Sequence, residues 1–185
     1  KYYLTIAGGL GSYLNKIEAS KISSIVDYIF IMAYDIHGSW DKYADFNAPL
    51  YNVSGSPSDQ YQTSVYTSIQ EYLNAGVSNS KLVLGMPFYG NAYSVSSSNN
   101  NGIFSTFTSV KSLAYKSIVS NYLNNASFLQ FFDQTTRVPY LFGNNTFISY
   151  ENEQSISEKA KVAKNFGLAG VGAWELSQDF NSSLL

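Results

Sequence analysis

Asp27-Tyr28-Ile29-Phe30-Ile31-Met32-Ala33-Tyr34-Asp35-Ile36-His37-Gly38-Ser39-Trp40-Asp41 decides the fold. It begins as an apolar, β-branched and aromatic run, the pattern of a buried strand. It then ends abruptly in Tyr34, Asp35, His37 and Trp40. A buried strand that delivers polar and aromatic groups from its C-terminal end is how a parallel α/β barrel builds a reactive cleft.

Working outward, Tyr2-Tyr3-Leu4-Thr5-Ile6-Ala7 reads as an earlier strand stopped by Gly8-Gly9. Leu14, Ile17, Ile22 and Ile25 predict a helix over 12–25. A long loop over 36–60 carries turn signals at Gly38, Pro49, Gly55 and Pro57. Val65, Ile69, Tyr72 and Leu73 recur at helical spacing, and Gly76 ends that helix. Lys81-Leu82-Val83-Leu84-Gly85-Met86 is the next strand, ended by Pro87. Residues 91–154 break the rhythm. A Ser/Asn-rich loop at 94–101 leads to a helical stretch near 108–124, then short strands near 128–132, 138–142 and 146–150. Gly143-Asn144-Asn145 reads as a hairpin turn. Ser155 as N-cap, with Glu158 three residues on, opens a last helix through Phe166. Residues 168–174 form the final strand. Strands alternating with helices imply a parallel sheet with right-handed crossovers.

Composition narrows the chemistry. The 185 residues suffice for a real core but fall short of the roughly 250 of a complete eight-stranded barrel. A net charge of −2 gives no basic surface for nucleic acid. The absence of Cys excludes disulfides, thiolate metal sites and a Cys nucleophile, and a single His argues against a multi-His metal site. No apolar run reaches the roughly 18 residues of a membrane span, and no leader opens the chain, which reads as cut inside a domain. Aromatics make up 16% and charged residues 13%, a balance that suits either sugar stacking or a large core. Four Asn-X-Ser/Thr triplets, at Asn52, Asn125, Asn144 and Asn181, arise readily by chance in so Asn/Ser-rich a chain.

Four segments resemble, in order and spacing, the family 18 glycoside hydrolases, the chitinase family. Leu4-Thr5-Ile6-Ala7 resembles the fifth barrel strand. Met32-Ala33-Tyr34-Asp35 resembles the sixth, with His37-Gly38-Ser39-Trp40-Asp41 and Asn47-Ala48-Pro49-Leu50-Tyr51 after it. Lys81 through Gly90 resembles the seventh, and Gly170 through Asp179 the eighth. Asp133 and Arg137-Val138-Pro139-Tyr140 also look familiar in the stretch where many of these enzymes insert a small domain. The resemblance implies an α/β fold: the C-terminal half, strands 5–8, of a TIM (β/α)8 barrel with a small α+β insertion. Residues 1–90 would carry strands 5–7, residues 91–154 the insertion, and residues 155–185 the last helix and strand.

The resemblance further implies substrate-assisted, retaining hydrolysis of β-1,4-linked N-acetylglucosamine polymers, with no metal or organic cofactor. The substrate's acetamido oxygen attacks C1 while an enzyme Glu protonates the leaving oxygen. The Asp-rich strand motif that carries this Glu is absent from the chain, so the fragment alone is expected to be inactive. Tyr34 would donate to the acetamido oxygen, and Asp35 would bind sugar near the cleavage point. Met32 would floor the pocket, Trp174 would stack on the cleaved sugar, and Tyr89 would contact the glycan. Trp40 and Tyr140 would extend the groove. Asn91 stands where the family often has Arg, which removes a charged sugar contact. His37 reads as loop packing, and Glu175, next to Trp174, as structural. Chitin or a chitooligosaccharide would be the ligand and the N-terminal barrel half the partner, with self-association through open edges and an extracellular setting. The alternatives are a non-catalytic sugar-binding protein of the same ancestry and, third, a peptidoglycan-acting relative.

Overall fold

The computed structural model describes residues 2–58 and 63–185. Its strands are β1 (Thr5–Gly8), β2 (Tyr28–Ile31), β3 (Leu82–Pro87), β4 (Tyr89–Val95), β5 (Phe107–Ala114), β6 (Leu129–Asp133), β7 (Val138–Gly143), β8 (Thr146–Ser149) and β9 (Gly170–Trp174). Its α-helices are α1 (Ala19–Ile25), α2 (Val65–Asn74), α3 (Tyr115–Ile118) and α4 (Glu153–Asn165). The strands divide into two sheets. A parallel one runs β1-β2-β3-β9 and an antiparallel one runs β5-β4-β8-β7-β6.

The parallel sheet is built from the apolar runs read in the sequence. Ile29, Ile31, Leu82 and Leu84 are buried under Val65, Ile69 and Tyr72 of α2. Gly85 lets β2 and β3 pair closely, because a Cβ there would lie 2.5 Å from the Ile31 carbonyl oxygen. Among the described residues, β1 and β9 are paired on one side only.

The antiparallel sheet carries apolar side chains on both faces, as period-2 alternation requires of a two-sided core. Tyr93, Tyr140 and Phe147 pack with Phe46. Ala92, Leu141 and Ile148 pack with Tyr115 and Ile118. Phe88 joins the two sheets, since its N–H donates to the Trp174 carbonyl at 2.8 Å and its carbonyl accepts from the Tyr115 N–H at 2.9 Å. At the return to α4, Glu151 and Lys159 form an ion pair, both nearly fully buried. Burial raises the Glu151 pKa and lowers that of Lys159.

The structure departs from the sequence reading in several places. The expected helix over 12–25 is a 3-10 segment, Gly11–Lys16, followed by α1, because Ile17 takes extended dihedrals. The central strand ends at Ile31. Beyond it, the N–H groups of Ala33 and Tyr34 turn back to the carbonyls of Ile31 and Met32, each at 2.9 Å. β4 occupies residues read as insertion and loop, and residues 107–114 are strand, with helix only from Tyr115. As the outermost strand, β5 exposes Thr108, Ser109, Lys111 and Ser112, so its polar face imitated a helix surface. The N-cap of α4 is Asn152: its Oδ1 accepts from Ser155 N, and Ser155 Oγ accepts from Asn152 N, both at 2.9 Å. Glu158 instead pairs with Arg137 at 3.1 Å. The hairpin at Asn144 and Asn145 forms as read, both residues left-handed in the manner of a type I′ turn.

Candidate functional site

The site begins where β2 stops. Once the ladder ends, the chain needs other partners for its backbone, and the long loop supplies them. Ile36 N donates to the Asn47 carbonyl at 3.0 Å, and Asp35 N donates to Asn47 Oδ1 at 3.2 Å. Asn47 N in turn donates to Ser149 Oγ of β8 at 2.8 Å, so the loop is bolted to the antiparallel sheet. His37 is buried, with Nδ1 3.2 Å from Asp41 Oδ2 and Nε2 3.7 Å from Asp45 Oδ2. It packs the loop, as its sequence context indicated.

Asp35 is exposed and left-handed, with φ 54°. Its Oδ1 accepts a 2.6 Å hydrogen bond from Tyr89 Oη. The Tyr34 ring meets Tyr89 edge-on, centroids 6.0 Å apart. Burial, and secondarily the Asp35 charge, push the Tyr34 hydroxyl up to about 12. Burial and the Asp35 hydrogen bond also raise Tyr89. Both hydroxyls therefore keep their protons at neutral pH. Among the described residues, Tyr34 Oη has no hydrogen-bond partner and is not sealed from solvent.

Asp35 and Tyr89 open on a cleft of about 370 Å³, lined also by Trp40, Asn91, Lys111 and Trp174 among others, while Tyr34 is buried and outside that lining. A second hollow, of about 600 Å³, lies on the other side of Asp35 and Trp40 and reaches Asn15 and Glu71. Trp174 is 58% exposed and Trp40 65%, so each has ring surface free for a ligand.

The structure thus brings Asp35, Tyr89, Asn91, Trp40 and Trp174 together in one cleft, with Tyr34 in ring contact with Tyr89 but outside the lining. Met32 is half-buried against the parallel-sheet core and lines neither hollow. Tyr140 is a correction. It is 7% exposed, and its ring is stacked on Phe131 at 4.8 Å with Phe46 and Phe147 around it, which leaves no face for a sugar. Glu175 accepts from Ser177 Oγ at 2.5 Å and lies outside the cleft lining. Sequence reasoning missed Lys111, hidden in a strand read as helix. It also gave no role to Asn47, whose only signal was its place in the quoted Asn47-Ala48-Pro49 run. Among the described residues, no cluster of His, Asp or Glu is arranged to hold a metal, and no helix is long and apolar enough to cross a membrane.

Polar groups at the end of β2 and on β4 and β5, flanked by two exposed Trp rings, form a polar, aromatic cleft beside a parallel sheet with helices. The chain belongs to the glycosyl hydrolases family 18, whose model matches residues 1–179. It is 38% identical over its whole length to Chitinase A1 of Niallia circulans and spans 28% of that protein's length. A family 18 N-acetylglucosaminidase of Paenibacillus barengoltzii superposes with a TM-score of 0.92 at 30% identity, covering 99% of this chain and 54% of that one. A chitinase-like agglutinin of Robinia pseudoacacia superposes with a TM-score of 0.84 at 31% identity, covering 98% of this chain and 53% of that one.

Proposed function

We propose that this chain forms strands 5–8 and the insertion of a family 18 barrel whose intact protein hydrolyses β-1,4-linked N-acetylglucosamine polymers with retention of configuration. The carrying observation is the Tyr34–Asp35–Tyr89 cluster at the strand ends, where a protonated Tyr34 hydroxyl without an internal partner stands beside an ordered carboxylate. That arrangement suits a reaction in which the substrate supplies its own nucleophile and the protein must hold it. The acetamido oxygen attacks C1, and Tyr34 donates to that oxygen. Asp35, oriented by Tyr89, binds the reacting sugar, while Trp174 and Trp40 stack on the glycan.

The proton for the leaving oxygen comes from a Glu outside these residues, on the neighbouring barrel strands. The one-sided pairing of β1 and β9 supports a neighbour on each edge. The chain alone is then inactive and prone to self-association, and the polymer it serves implies an extracellular enzyme. The test is hydrolysis of a chitooligosaccharide by the intact protein, with the product anomer followed by NMR. Initial β-anomer is expected, and initial α-anomer overturns the reading.

The likeness to a chitinase-like agglutinin favours a second reading, a sugar-binding protein without turnover. Oligosaccharide binding with no hydrolysis by the intact protein would select it.

A further inference from the structure

Asp35 takes a left-handed backbone, φ 54°, a conformation open to Asp at a modest cost that its hydrogen-bond partners can offset. A polar clamp at the wall of the cleft engages its backbone. Asn47 Oδ1 accepts from Asp35 N at 3.2 Å and from Asn91 Nδ2 at 3.2 Å. Asn91 Nδ2 also donates to the His37 carbonyl at 3.2 Å. The single amide nitrogen of Asn91 thus spans two acceptors, both in the loop that follows Asp35. Asn91 is 6% exposed and sits in β4, register-paired with Ser149, whose hydroxyl accepts from Asn47 N at 2.8 Å. Two neighbouring residues of the antiparallel sheet therefore grip the loop that carries Asp35.

We propose that Asn91 is a positioning residue for the reaction. By bridging His37 and Asn47 it fixes the left-handed backbone at Asp35, and with it the carboxylate that receives the Tyr89 hydroxyl. Its amide nitrogen is spent inside the protein, so its main effect on substrate is indirect. The proposal rests on the reading of Asp35 as part of the sugar site.

The test is made in the intact protein with a chitooligosaccharide substrate. Asn91→Ala removes both bridging bonds and is expected to lower kcat about 10- to 100-fold, the scale of a small misplacement at a reacting centre. KM should stay within about threefold, because the stacking rings are untouched. In a cycle with Asp35→Ala, the double variant should be no more than about twofold slower than Asp35→Ala alone, as for two residues acting as one unit. Asn91→Ser keeps a polar side chain in the strand but cannot span both acceptors. It should give the same split if the alanine variant folds poorly. An effect on KM alone, or full additivity with Asp35→Ala, overturns the proposal and makes Asn91 an independent sugar contact. Unchanged turnover in Asp35→Ala removes the sugar-site reading and the proposal with it. Loss in Asp35→Ala with none in Asn91→Ala removes the proposal only.

Discussion

The two sheets divide the work differently. The parallel sheet presents Tyr34, Asp35 and Trp174 from its strand ends, yet leaves apolar residues such as Leu4, just before β1, and Val171 of β9 exposed. The antiparallel sheet lines more of the cleft, through Tyr89, Asn91, Val110, Lys111 and Ser112, and is filled on both faces by aromatic and aliphatic side chains. The cleft is thus shared: the loop and strand ends of the parallel sheet supply Asp35 and Trp174, and the antiparallel sheet supplies its wall and anchors the Asp35 loop. Asn47, bonded to Ser149 and Asn91, is the point where the second disciplines the first.

The largest expected effect is at the buried ion pair where the chain leaves the antiparallel sheet for α4. Lys159→Met leaves Glu151 buried without its cation and should destabilise the protein by about 3–5 kcal/mol, measured by denaturant unfolding. A group whose folded pKa is raised contributes stability below its unfolded value, so the defect should shrink as pH falls toward the ordinary Glu range, about 4.3. Replacing Glu151 and Lys159 together by apolar residues of similar size should restore much of the loss. If Lys159→Met costs less than about 1 kcal/mol, this pair does not fix the return into α4.

The comparison sharpens through two Tyr→Phe changes, one in each region. In the intact protein, Tyr34→Phe should lower kcat about 10²- to 10³-fold, the scale of a lost donor to developing charge. Tyr140→Phe, in the aromatic core, should leave kcat and KM nearly unchanged. Equal losses in steady-state assays would mean the division between the regions is wrong.

The smallest effect is expected with pH. Tyr34 and Tyr72 are both pushed up to about 12, chiefly by burial, and Tyr72 Oη donates to the Gly9 carbonyl at 2.7 Å. Their pKa values lie above the ordinary Tyr value of about 10, so the stability they confer is complete below that pH. It is lost as pH rises toward 12. The thermal midpoint should therefore be insensitive to these groups from neutral pH to about 9 and fall above about 10. Phenolate absorbance rising with an ordinary Tyr midpoint for all tyrosines would contradict it.

The parallel half was legible because its signals are local. Ile29, Phe30, Ile31, Leu82, Val83 and Leu84 form runs too apolar and β-branched to lie anywhere but inside a sheet. Gly76 and the paired Asn144-Asn145 mark a helix end and a turn by left-handed backbone preference alone. The antiparallel half was read less well. The polarity of β5 reflects its place at the sheet edge, a fact of topology that Ser109, Lys111 and Ser112 do not announce.

By itself, the sequence determined the parallel strands, their order of alternation with helices, and the family to which Tyr34, Asp35, Tyr89 and Trp174 belong. Only the tertiary structure decided that Tyr140 is sealed among Phe46, Phe131 and Phe147, and that Asn91 reaches Asn47 and His37 across the loop. Strand identity follows from a residue's own side chain and near neighbours. Burial and hydrogen-bond partnership instead depend on segments tens of residues away, which no local pattern brings together.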